Sequence, residues 1–288
     1  MSTQKDIYWV NLDDHWVQES EAMVPVENRG LMYGDGLFET ILYHQGRLMV
    51  LESHLNRFFY GLNHLGLSFP ISKDELSRML IDGVHRNHLQ HQDVIIRLQC
   101  WRQGGRGYAA NTSKVHYYVS FKPSKPSLED SPKGIRLFQS SVPLAPKKPG
   151  ECMVKSSNAL RYVLAANEAI ANDYDDALLL SSEGYVAEVS SANIFWLKSN
   201  DLFTPSLACH ILRGTRRDAL INKVTSARTY QIIEGEFHAN ELFDADLVFT
   251  LNSIQGLRWV KSLNQTELEV AHDQLEDLTK LYYEALLR

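Results

Sequence analysis

Several features are scarce in this sequence, and each scarcity excludes a class of protein. The 288 residues include three cysteines, Cys100, Cys152 and Cys209, which are odd in number and widely spaced. This pattern fits neither a disulfide framework nor a zinc site, so we interpret them as reduced thiols. Basic residues are not in excess, because 29 Lys+Arg stand against 35 Asp+Glu and give a formal net charge of -6. A basic footprint for nucleic acid is therefore missing.

Long apolar runs and metal-ligand sets are missing as well. No stretch approaches the roughly 18 apolar residues of a membrane-spanning helix, and residues 1–6 are polar. We therefore expect a cytoplasmic protein that binds neither a membrane nor nucleic acid. The repeated histidines His85, His88 and His91 have no carboxylate or cysteine beside them to complete a ligand set, so we expect no metal.

Two glycine-rich stretches are incomplete as nucleotide-binding motifs. The stretch 34–36 (Gly-Asp-Gly) lacks the third glycine of a dinucleotide fingerprint, and the stretch 104–108 (Gly-Gly-Arg-Gly-Tyr) lacks the Lys-Ser/Thr ending of a P-loop. We interpret both as shaped turns. In the second, Arg106 is expected at a flexible tip where it reaches a substrate carboxylate, and a plain solvated hairpin is the alternative that composition leaves open.

The length of the chain suits two domains, each with its own core. Residues 122–132 contain three prolines and three serines, so we predict an interdomain linker there, between an α+β domain at 1–121 and a second domain at 133–288. Apolar patterns predict strands at Ile7–Asn11, Arg47–Leu51, Val94–Cys100, Val115–Phe121, Ile135–Val142, Ala177–Leu180, Ile194–Leu197, Gln231–Phe237 and Leu247–Leu251. Helical periodicity predicts helices at Glu52–Leu65, Lys73–Arg86, Ala159–Ala171, Thr215–Ala227 and Gln274–Leu287.

Lys155 is the strongest candidate for a chemical role. It stands directly before Ser156, Ser157 and Asn158, which are good N-cap residues, and before the helical run 159–166. If the helix starts at these caps, its positive N-terminal end lies beside the ammonium group and favours the neutral amine. A lysine that forms an imine needs this neutral, nucleophilic form.

Other residues supply groups that suit a phosphate-bearing aldehyde. Glu188 offers a carboxylate on an apolar strand, and the small hydroxyl groups of Ser190 and Ser191 follow it. Hydrogen-bond donors for the phosphate are expected from Arg57 on a helix, from the helix start at Thr215, and from the strand end 250–253. Each has an ordinary alternative: a surface arginine, a strand-edge acid, a routine helix start and a turn. Together with Lys155, they indicate pyridoxal phosphate.

These residues also belong to motifs of a known family. The motifs are Arg29–Thr40, Glu52–Arg57, Lys155–Asn158, Glu188–Phe195 and Gly214–Asp218. In that order the chain resembles the fold-type IV pyridoxal-phosphate enzymes, also called class IV aminotransferases, which include branched-chain aminotransferases, D-amino-acid aminotransferases and 4-amino-4-deoxychorismate lyases. The resemblance implies a two-domain α+β fold like that of D-amino-acid aminotransferase. A smaller N-terminal α/β lobe precedes a larger, β-barrel-like C-terminal lobe with helices.

The resemblance also implies roles for individual residues. Lys155 forms the imine with the cofactor, and Glu188 pairs with its pyridine nitrogen. The remaining cofactor-binding residues are Arg57, Ser190, Thr215, Arg216, Asn252 and Ser253, most of them around the phosphate. The substrate-binding residues are Phe38, Glu39, Arg106 and Tyr108. Family members form homodimers in which the loop matching 104–108 enters the partner's active site, so Arg106 is expected to act on the neighbouring subunit's substrate.

Within the family, the run Trp101–Tyr108 looks most like the lyases, some of which carry a Gly-Gly-Arg-Gly-Tyr loop. The predicted reaction converts aminodeoxychorismate into 4-aminobenzoate and pyruvate, a step of folate biosynthesis, with Lys155 as general base and general acid. The alternative is an aminotransferase that acts on D-amino acids or branched-chain amino acids with 2-oxoglutarate. Two positions depart from the expected patterns. Glu39 is the residue that many aminotransferases carry, whereas some lyases have threonine there, and Arg216 replaces a small phosphate-binding residue that is common in the family.

Overall fold

The computed structural model describes residues 8–124, 132–148 and 150–286. These residues fall into two compact units, within the bounds Met1–Ser127 plus Val154–Asn158 and Leu128–Met153 plus Ala159–Arg288. Most of the predicted linker 122–132 lies outside the described residues. Among the described residues, no helix is long and apolar enough to cross a membrane.

The first unit is built on an antiparallel sheet. As far as the chain is described, its six strands have the spatial order β2-β1-β6-β5-β3-β4. They are β1 (Trp9–Leu12), β2 (His15–Gln18), β3 (Gly36–His44), β4 (Arg47–Leu48), β5 (Val94–Arg102) and β6 (Val115–Pro123). Its helices are α1 (Arg29–Tyr33), α2 (Leu51–His64) and α3 (Lys73–Arg86).

The pleat of β5 separates a core face from a polar face. Val94, Ile96 and Leu98 are fully buried in the core of the unit. The alternate residues, including Arg97 and Gln99, are half-buried on the opposite face, because successive side chains of a strand point to opposite sides. Apolar residues of α2 and α3 cover the core face, so the polar face is the side of the sheet that offers functional groups to a ligand.

The second unit is a mixed sheet with helices. Its strands, within the described residues, are β7 (Ile135–Gln139), β8 (Asp176–Leu180), β9 (Val186–Val189), β10 (Asn193–Lys198), β11 (Asp201–Pro205), β12 (Gln231–Gly235), β13 (Leu247–Asn252), β14 (Gly256–Leu263) and β15 (Thr266–Glu267). Its helices are α4 (Leu160–Ala171), α5 (Thr215–Ala227) and α6 (His272–Leu286). Short 3-10 turns lie at Glu151–Met153, Leu207–Cys209 and Ala239–Asp244.

The sheet of the second unit closes on itself. Its order is β12-β11-β10-β13-β14-β7-β8-β9, and β9 returns to pair with β10 at Glu188 and Asn193. Parallel pairs join β7 to β8 and to β14, and the other pairs in the closed part are antiparallel. The result is the β-barrel-like lobe with helices that the resemblance implies.

Most predicted elements are present, and several predictions were wrong in detail. The predicted strand Arg47–Leu51 is only the short β4, because α2 already begins at Leu51. The predicted helix at Ala159–Ala171 starts at Leu160 with Ala159 as its N-cap and without a side-chain cap. The strand β3 was not predicted.

The segment Val154–Asn158 groups with the first unit, although the prediction placed it in the domain 133–288. Backbone hydrogen bonds explain this grouping. The Phe38 amide donates to the Lys155 carbonyl at 3.0 Å, and the Ser157 amide donates to the Gly36 carbonyl at 2.9 Å. The residues predicted to cap α4 are therefore used in pairing with the start of β3.

Candidate active site

Lys155 is held on the polar face of the first unit. Its backbone pairs with β3, and its Nζ lies 4.4 Å from the centroid of the Phe38 ring. The Arg97 guanidinium carbon lies 3.6 Å from the centroid of the same ring. Phe38 thus contacts the side chains of both Lys155 and Arg97, and the face of an aromatic ring favours a guanidinium. The structure brings the predicted catalytic residue and one predicted substrate-binding residue together.

Arg97 is a functional candidate that the sequence reasoning missed. It donates to Thr40 Oγ1 at 3.3 Å and to Gln99 Oε1 at 3.3 and 3.4 Å, and the Tyr118 hydroxyl donates to the same Gln99 oxygen at 3.4 Å. Burial lowers the pKa of Arg97 from its ordinary value, while Tyr118 opposes that change. A guanidinium held against the ring that Lys155 also contacts suits a substrate carboxylate. The signal was available, because Arg97 occupies a position of β5 on the face opposite to the buried apolar residues Ile96 and Leu98.

Glu39 has a different place from the one predicted. It neighbours Phe38 on β3 and therefore points to the opposite side of the sheet, into the core, where it is fully buried. The Arg57 Nε and Nη2 atoms donate to its two carboxylate oxygens at 2.7 Å, and His54 Nδ1 lies 2.7 Å from Oε2. Glu39 does not line the polar face with Phe38. It holds Arg57, the predicted phosphate ligand, in one orientation.

Burial alone raises the pKa of Glu39, but the charges of Arg57 and His54 and their hydrogen bonds outweigh burial and lower that pKa to about 2. The carboxylate is therefore ionised near neutral pH. This places an ion pair on the core side of the sheet.

The loop 104–108 is shaped by one buried arginine. Arg29 donates to the carbonyls of Gly105 at 3.2 Å, Gly107 at 2.6 Å and Tyr108 at 3.0 Å. Its Nε donates to Asp35 at 2.7 Å. A side chain of α1 therefore holds the backbone of this loop.

The ring of Tyr33 helps to hold the same loop. Its hydroxyl accepts the Gly107 amide at 2.9 Å, and its ring centroid lies 5.5 Å from that of Tyr108. The Arg106 side chain is 79% exposed and pairs with Glu27 at 2.6 Å. The side chain of Tyr108 is 92% exposed. Both predicted substrate-binding side chains of the loop thus face outward.

Glu188 in the second unit is the centre of a hydrogen-bond network. It is buried on β9, and its Oε1 accepts the Tyr162 hydroxyl at 2.7 Å. The Leu212 amide donates to both carboxylate oxygens, at 3.0 and 3.1 Å. Asn193 Nδ2 donates to Oε2 at 3.3 Å and to the Leu212 carbonyl at 2.9 Å. Such donors stabilise the charged form of a carboxylate and fix its direction.

An anion-binding arrangement follows at the start of α5. Gly214 caps the helix without a side-chain hydrogen bond, so the first amides of the helix are suited to an external anion. A Cβ at Gly214 would lie 1.9 Å from Asn193 Oδ1, so only glycine allows this close approach. The Thr215 and Ser253 hydroxyl oxygens are 3.5 Å apart.

Arg216 and Asn252 flank this arrangement. Arg216 Nη2 donates to the Ser253 carbonyl at 3.1 Å. Its Nε and Nη1 atoms are buried and have no hydrogen-bond partner among the described residues. Burial lowers the pKa of Arg216 from its ordinary value. The Asn252 side chain accepts the amides of Ile254 and Gln255 at 3.0 and 2.7 Å, so it shapes the turn.

Ser190 is directed to a neighbouring carboxylate. Its hydroxyl donates to Asp176, whose other oxygen accepts Arg258 Nη2 at 3.2 Å. The cofactor role predicted for Ser190 stays a prediction. In the described parts of the chain, no group of three or more His, Cys, Asp and Glu side chains is arranged to hold a metal ion.

The chain thus carries the groups that a phosphate-bearing carbonyl cofactor requires. It has an amine at Lys155, a fixed carboxylate at Glu188 and an anion-binding helix start at Thr215. The buried, unpartnered guanidinium nitrogens of Arg216 fit an anion in particular. Pyridoxal phosphate fits these residues.

Comparisons with known proteins identify the family. The amino-transferase class IV family matches residues 36–263. A putative branched-chain-amino-acid aminotransferase of Methanocaldococcus jannaschii is 32% identical over 83% of this chain and 82% of its own length. An aminodeoxychorismate lyase of Vibrio harveyi is 27% identical over 92% of this chain and 94% of its own.

A solved structure agrees with these matches. The branched-chain aminotransferase of the thermophilic archaeon Thermoproteus uzoniensis, crystallised with norvaline, has a TM-score of 0.88 and 26% identity and covers 97% of this chain and 95% of that chain. This chain belongs to the class IV aminotransferase family.

Proposed function

We propose that the protein is a pyridoxal-phosphate-dependent lyase that converts 4-amino-4-deoxychorismate into 4-aminobenzoate and pyruvate. The cofactor is pyridoxal phosphate. The observation that carries the lyase proposal is the loop 104–108, whose Gly-Gly-Arg-Gly-Tyr sequence resembles that of lyases and whose carbonyls are gathered on Arg29 so that Arg106 faces outward. The similarity to the lyase of Vibrio harveyi, which extends over 92% of this chain, supports the same proposal.

The substrate carries two carboxylates, and the chain offers two arginines for them. Arg97 lies beside Phe38, the ring that Lys155 also contacts. Arg106 pairs with Glu27 in an exposed ion pair, which contributes little to stability. A substrate carboxylate therefore replaces Glu27 at little cost.

The chemistry needs one mobile proton and one electron sink. When bound, pyridoxal phosphate supplies the sink for the electrons of the carbon that loses its proton. Lys155 Nζ removes the proton from the amine-bearing ring carbon and delivers a proton to the methylene carbon of the enolpyruvyl group. The bond between the ring carbon and the ether oxygen breaks, pyruvate leaves, and the ring becomes aromatic. The proton moves from one carbon to another, so no water or oxidant is consumed.

Glu188 and the α5 terminus have binding roles in this proposal. Glu188 pairs with the pyridine nitrogen, and its fixed direction follows from Tyr162, Leu212 and Asn193. The amides at the start of α5 and the Arg216 guanidinium bind the phosphate. Arg57, oriented by Glu39, is proposed as a further phosphate ligand.

An aminotransferase is the second candidate. The observation that favours it is the 32% identity to a putative branched-chain aminotransferase. Proton removal by Lys155 serves both reactions, and a carboxylate on an amino-acid substrate also suits Arg97.

A product assay separates the two candidates. Aminodeoxychorismate, made from chorismate with an amidating synthase, is supplied to the holoenzyme, and fluorescent 4-aminobenzoate is measured. We expect product from the wild type and from Arg78→Gln, which removes an exposed cation of α3, and none from Lys155→Ala. No product from the wild type, together with amino transfer from D-alanine or leucine to 2-oxoglutarate, overturns the lyase proposal.

We also propose a homodimer. Exposed apolar side chains lie on the first unit at Met23, Val26 and Leu31, and on one face of α4 at Leu160 and Val163. Exposed apolar patches of this kind favour association.

Subunit mixing tests whether Arg106 acts on the partner's substrate. Neither Lys155→Ala nor Arg106→Gln homodimers are expected to be fully active. A mixed dimer restores one complete site only if Arg106 acts across the interface, so recovered activity supports the proposal. No recovery in dimers verified by light scattering contradicts it.

A further inference from the structure

The pairing of Tyr162 with Glu188 has no counterpart in the roles that the family resemblance implies. Tyr162 lies in the first turns of α4, and its hydroxyl donates to Glu188 Oε1 at 2.7 Å. This hydrogen bond is shorter than those from Leu212 and Asn193 to the same carboxylate. Oε1 also receives the Leu212 amide, which it shares with Oε2.

The direction of the Tyr162 hydrogen bond is fixed by its surroundings. A phenol has a single proton, and an ionised carboxylate has only acceptors, so Tyr162 is the donor. Lys147 Nζ lies 3.5 Å from the Tyr162 oxygen and approaches its lone pairs. Burial raises the pKa of Tyr162 well above its ordinary value, and the nearby charge of Glu188 raises it further, so the phenol keeps its proton.

A glutamate that pairs with one ring atom needs a fixed orientation of its carboxylate plane. The glutamate side chain has several rotatable bonds. The Leu212 amide donates to both oxygens, so it still allows the carboxylate to rotate about the direction of that N–H group. Hydrogen bonds from Tyr162 to Oε1 and from Asn193 to Oε2 act on different oxygens and remove that freedom. Hydrogen bonds of this kind around a binding group set its orientation.

We infer that Tyr162 is a positioning residue for the cofactor: its hydroxyl holds the Glu188 carboxylate in the orientation that binds the protonated pyridine nitrogen. This inference rests on the proposed role of Glu188 and is independent of the choice between lyase and aminotransferase. Tyr162 itself acts through Glu188 and touches neither the substrate nor the reacting atoms.

Cofactor affinity tests the inference without measuring activity. The probe is pyridoxamine 5'-phosphate, which carries an amine where pyridoxal phosphate carries an aldehyde and therefore does not condense with Lys155. Its dissociation constant is measured by calorimetry on cofactor-free protein. Tyr162→Phe removes only the hydroxyl. Tyr174→Phe is the matched control, because Tyr174 packs against the same core cluster as Tyr162.

We expect up to about tenfold weaker binding for Tyr162→Phe, because the Glu188 side chain must then be ordered when the probe binds, and less than about twofold for Tyr174→Phe. Glu188→Gln is expected to weaken binding at least as much. The double variant Tyr162→Phe/Glu188→Gln is expected to match Glu188→Gln, because Tyr162 acts through that carboxylate. Thermal melting of each cofactor-free variant shows that it is folded.

The outcomes separate the inference from the role on which it rests. If Glu188→Gln binds the probe like the wild type, the proposed role of Glu188 fails and the inference fails with it. If Glu188→Gln is weakened but Tyr162→Phe is unchanged, only the inference fails. Additive losses in the double variant also overturn it, since Tyr162 then acts independently of Glu188.

An analogue that lacks the ring nitrogen gives a second readout. A 1-deaza analogue of the cofactor offers nothing for Glu188 to pair with, so the wild type and Tyr162→Phe are expected to bind it equally. A Tyr162→Phe loss of the same size with the deaza analogue contradicts the inference, because the hydroxyl then acts elsewhere on the cofactor.

Discussion

Replacing Glu39 by glutamine tests whether this residue supports the fold or lines the substrate site. The carboxylate is fully buried and pairs with Arg57 and His54. Its pKa is lowered from 4.5 to about 2, and because each pKa unit corresponds to about 1.4 kcal/mol, the pairing favours the folded state by about 3 kcal/mol. A neutral amide leaves the buried Arg57 charge without its counterion, a loss of about 3–5 kcal/mol.

The assay is urea unfolding of the cofactor-free protein followed by tryptophan fluorescence. Glu39→Gln is expected to lower the free energy of unfolding by about 3 kcal/mol or more. Glu52→Gln, on the exposed face of α2, is expected to stay within about 0.5 kcal/mol of the wild type. The double variant Glu39→Gln/Arg57→Met is expected to recover part of the loss, because it removes the uncompensated charge.

The same pair sets a pH dependence. A carboxyl with a depressed pKa in the folded state stabilises the protein at pH values above its unfolded pKa. That contribution is lost as the pH falls from 4.5 toward about 2. The unfolding free energy of Glu39→Gln should therefore fall less than that of the wild type over this window. Equal stability of Glu39→Gln and the wild type at neutral pH would refute the reasoning and return Glu39 to the substrate site.

Three further predictions concern the site. Gly214→Ala is expected to weaken pyridoxamine 5'-phosphate binding by more than about tenfold, because the added Cβ would lie 1.9 Å from Asn193 Oδ1. Gly105→Ala serves as the control, because its added Cβ meets nothing within 4 Å, and equal binding by both variants contradicts the expectation. Arg29→Lys is expected to speed tryptic cleavage after the exposed Arg106 by roughly tenfold, because lysine cannot keep the hydrogen bonds to three carbonyls of the loop. An unchanged cleavage rate contradicts the conclusion that Arg29 holds the loop 104–108. Arg97→Gln is expected to raise the KM for a carboxylate substrate by about tenfold while cofactor affinity stays the same, and an unchanged KM removes Arg97 from the substrate site.

Local signals predicted the elements that depend on local interactions. The helix α3 has its predicted bounds Lys73–Arg86 because Ser72 and Glu75 form a capping box at its start. The helix α5 also has its predicted bounds, Thr215–Ala227. The start of α3 is determined by neighbouring residues, which a sequence pattern can register.

The sequence misled where a distant partner decides the structure. Ser156 and Ser157 have the composition of N-caps, but they pair with the start of β3, far away in the chain. The strand β3 escaped prediction because its buried positions include the polar Glu39 and His44, whose partners lie on other elements. No local pattern contains those partners.

Site residues could be predicted from the sequence where they belong to a motif with a recognisable role. Arg29 stood inside a recognised motif without an assigned role, because its partners are carbonyls of a loop distant in sequence. Arg97 had a visible signal in the alternation of β5. Tyr162 had none, since only the fold brings α4 next to the carboxylate on β9.

The two buried glutamates show why partners decide what a carboxylate can do. Glu39 and Glu188 are both almost inaccessible to solvent. Glu39 is bound through both oxygens by the guanidinium of Arg57, so its charge is cancelled within the protein and serves orientation. The Tyr162 hydroxyl, the Asn193 amide and the Leu212 backbone, which donate to Glu188, are neutral. They fix the direction of the carboxylate, and a carboxylate held in one direction is suited to pair with a proton on a ring nitrogen.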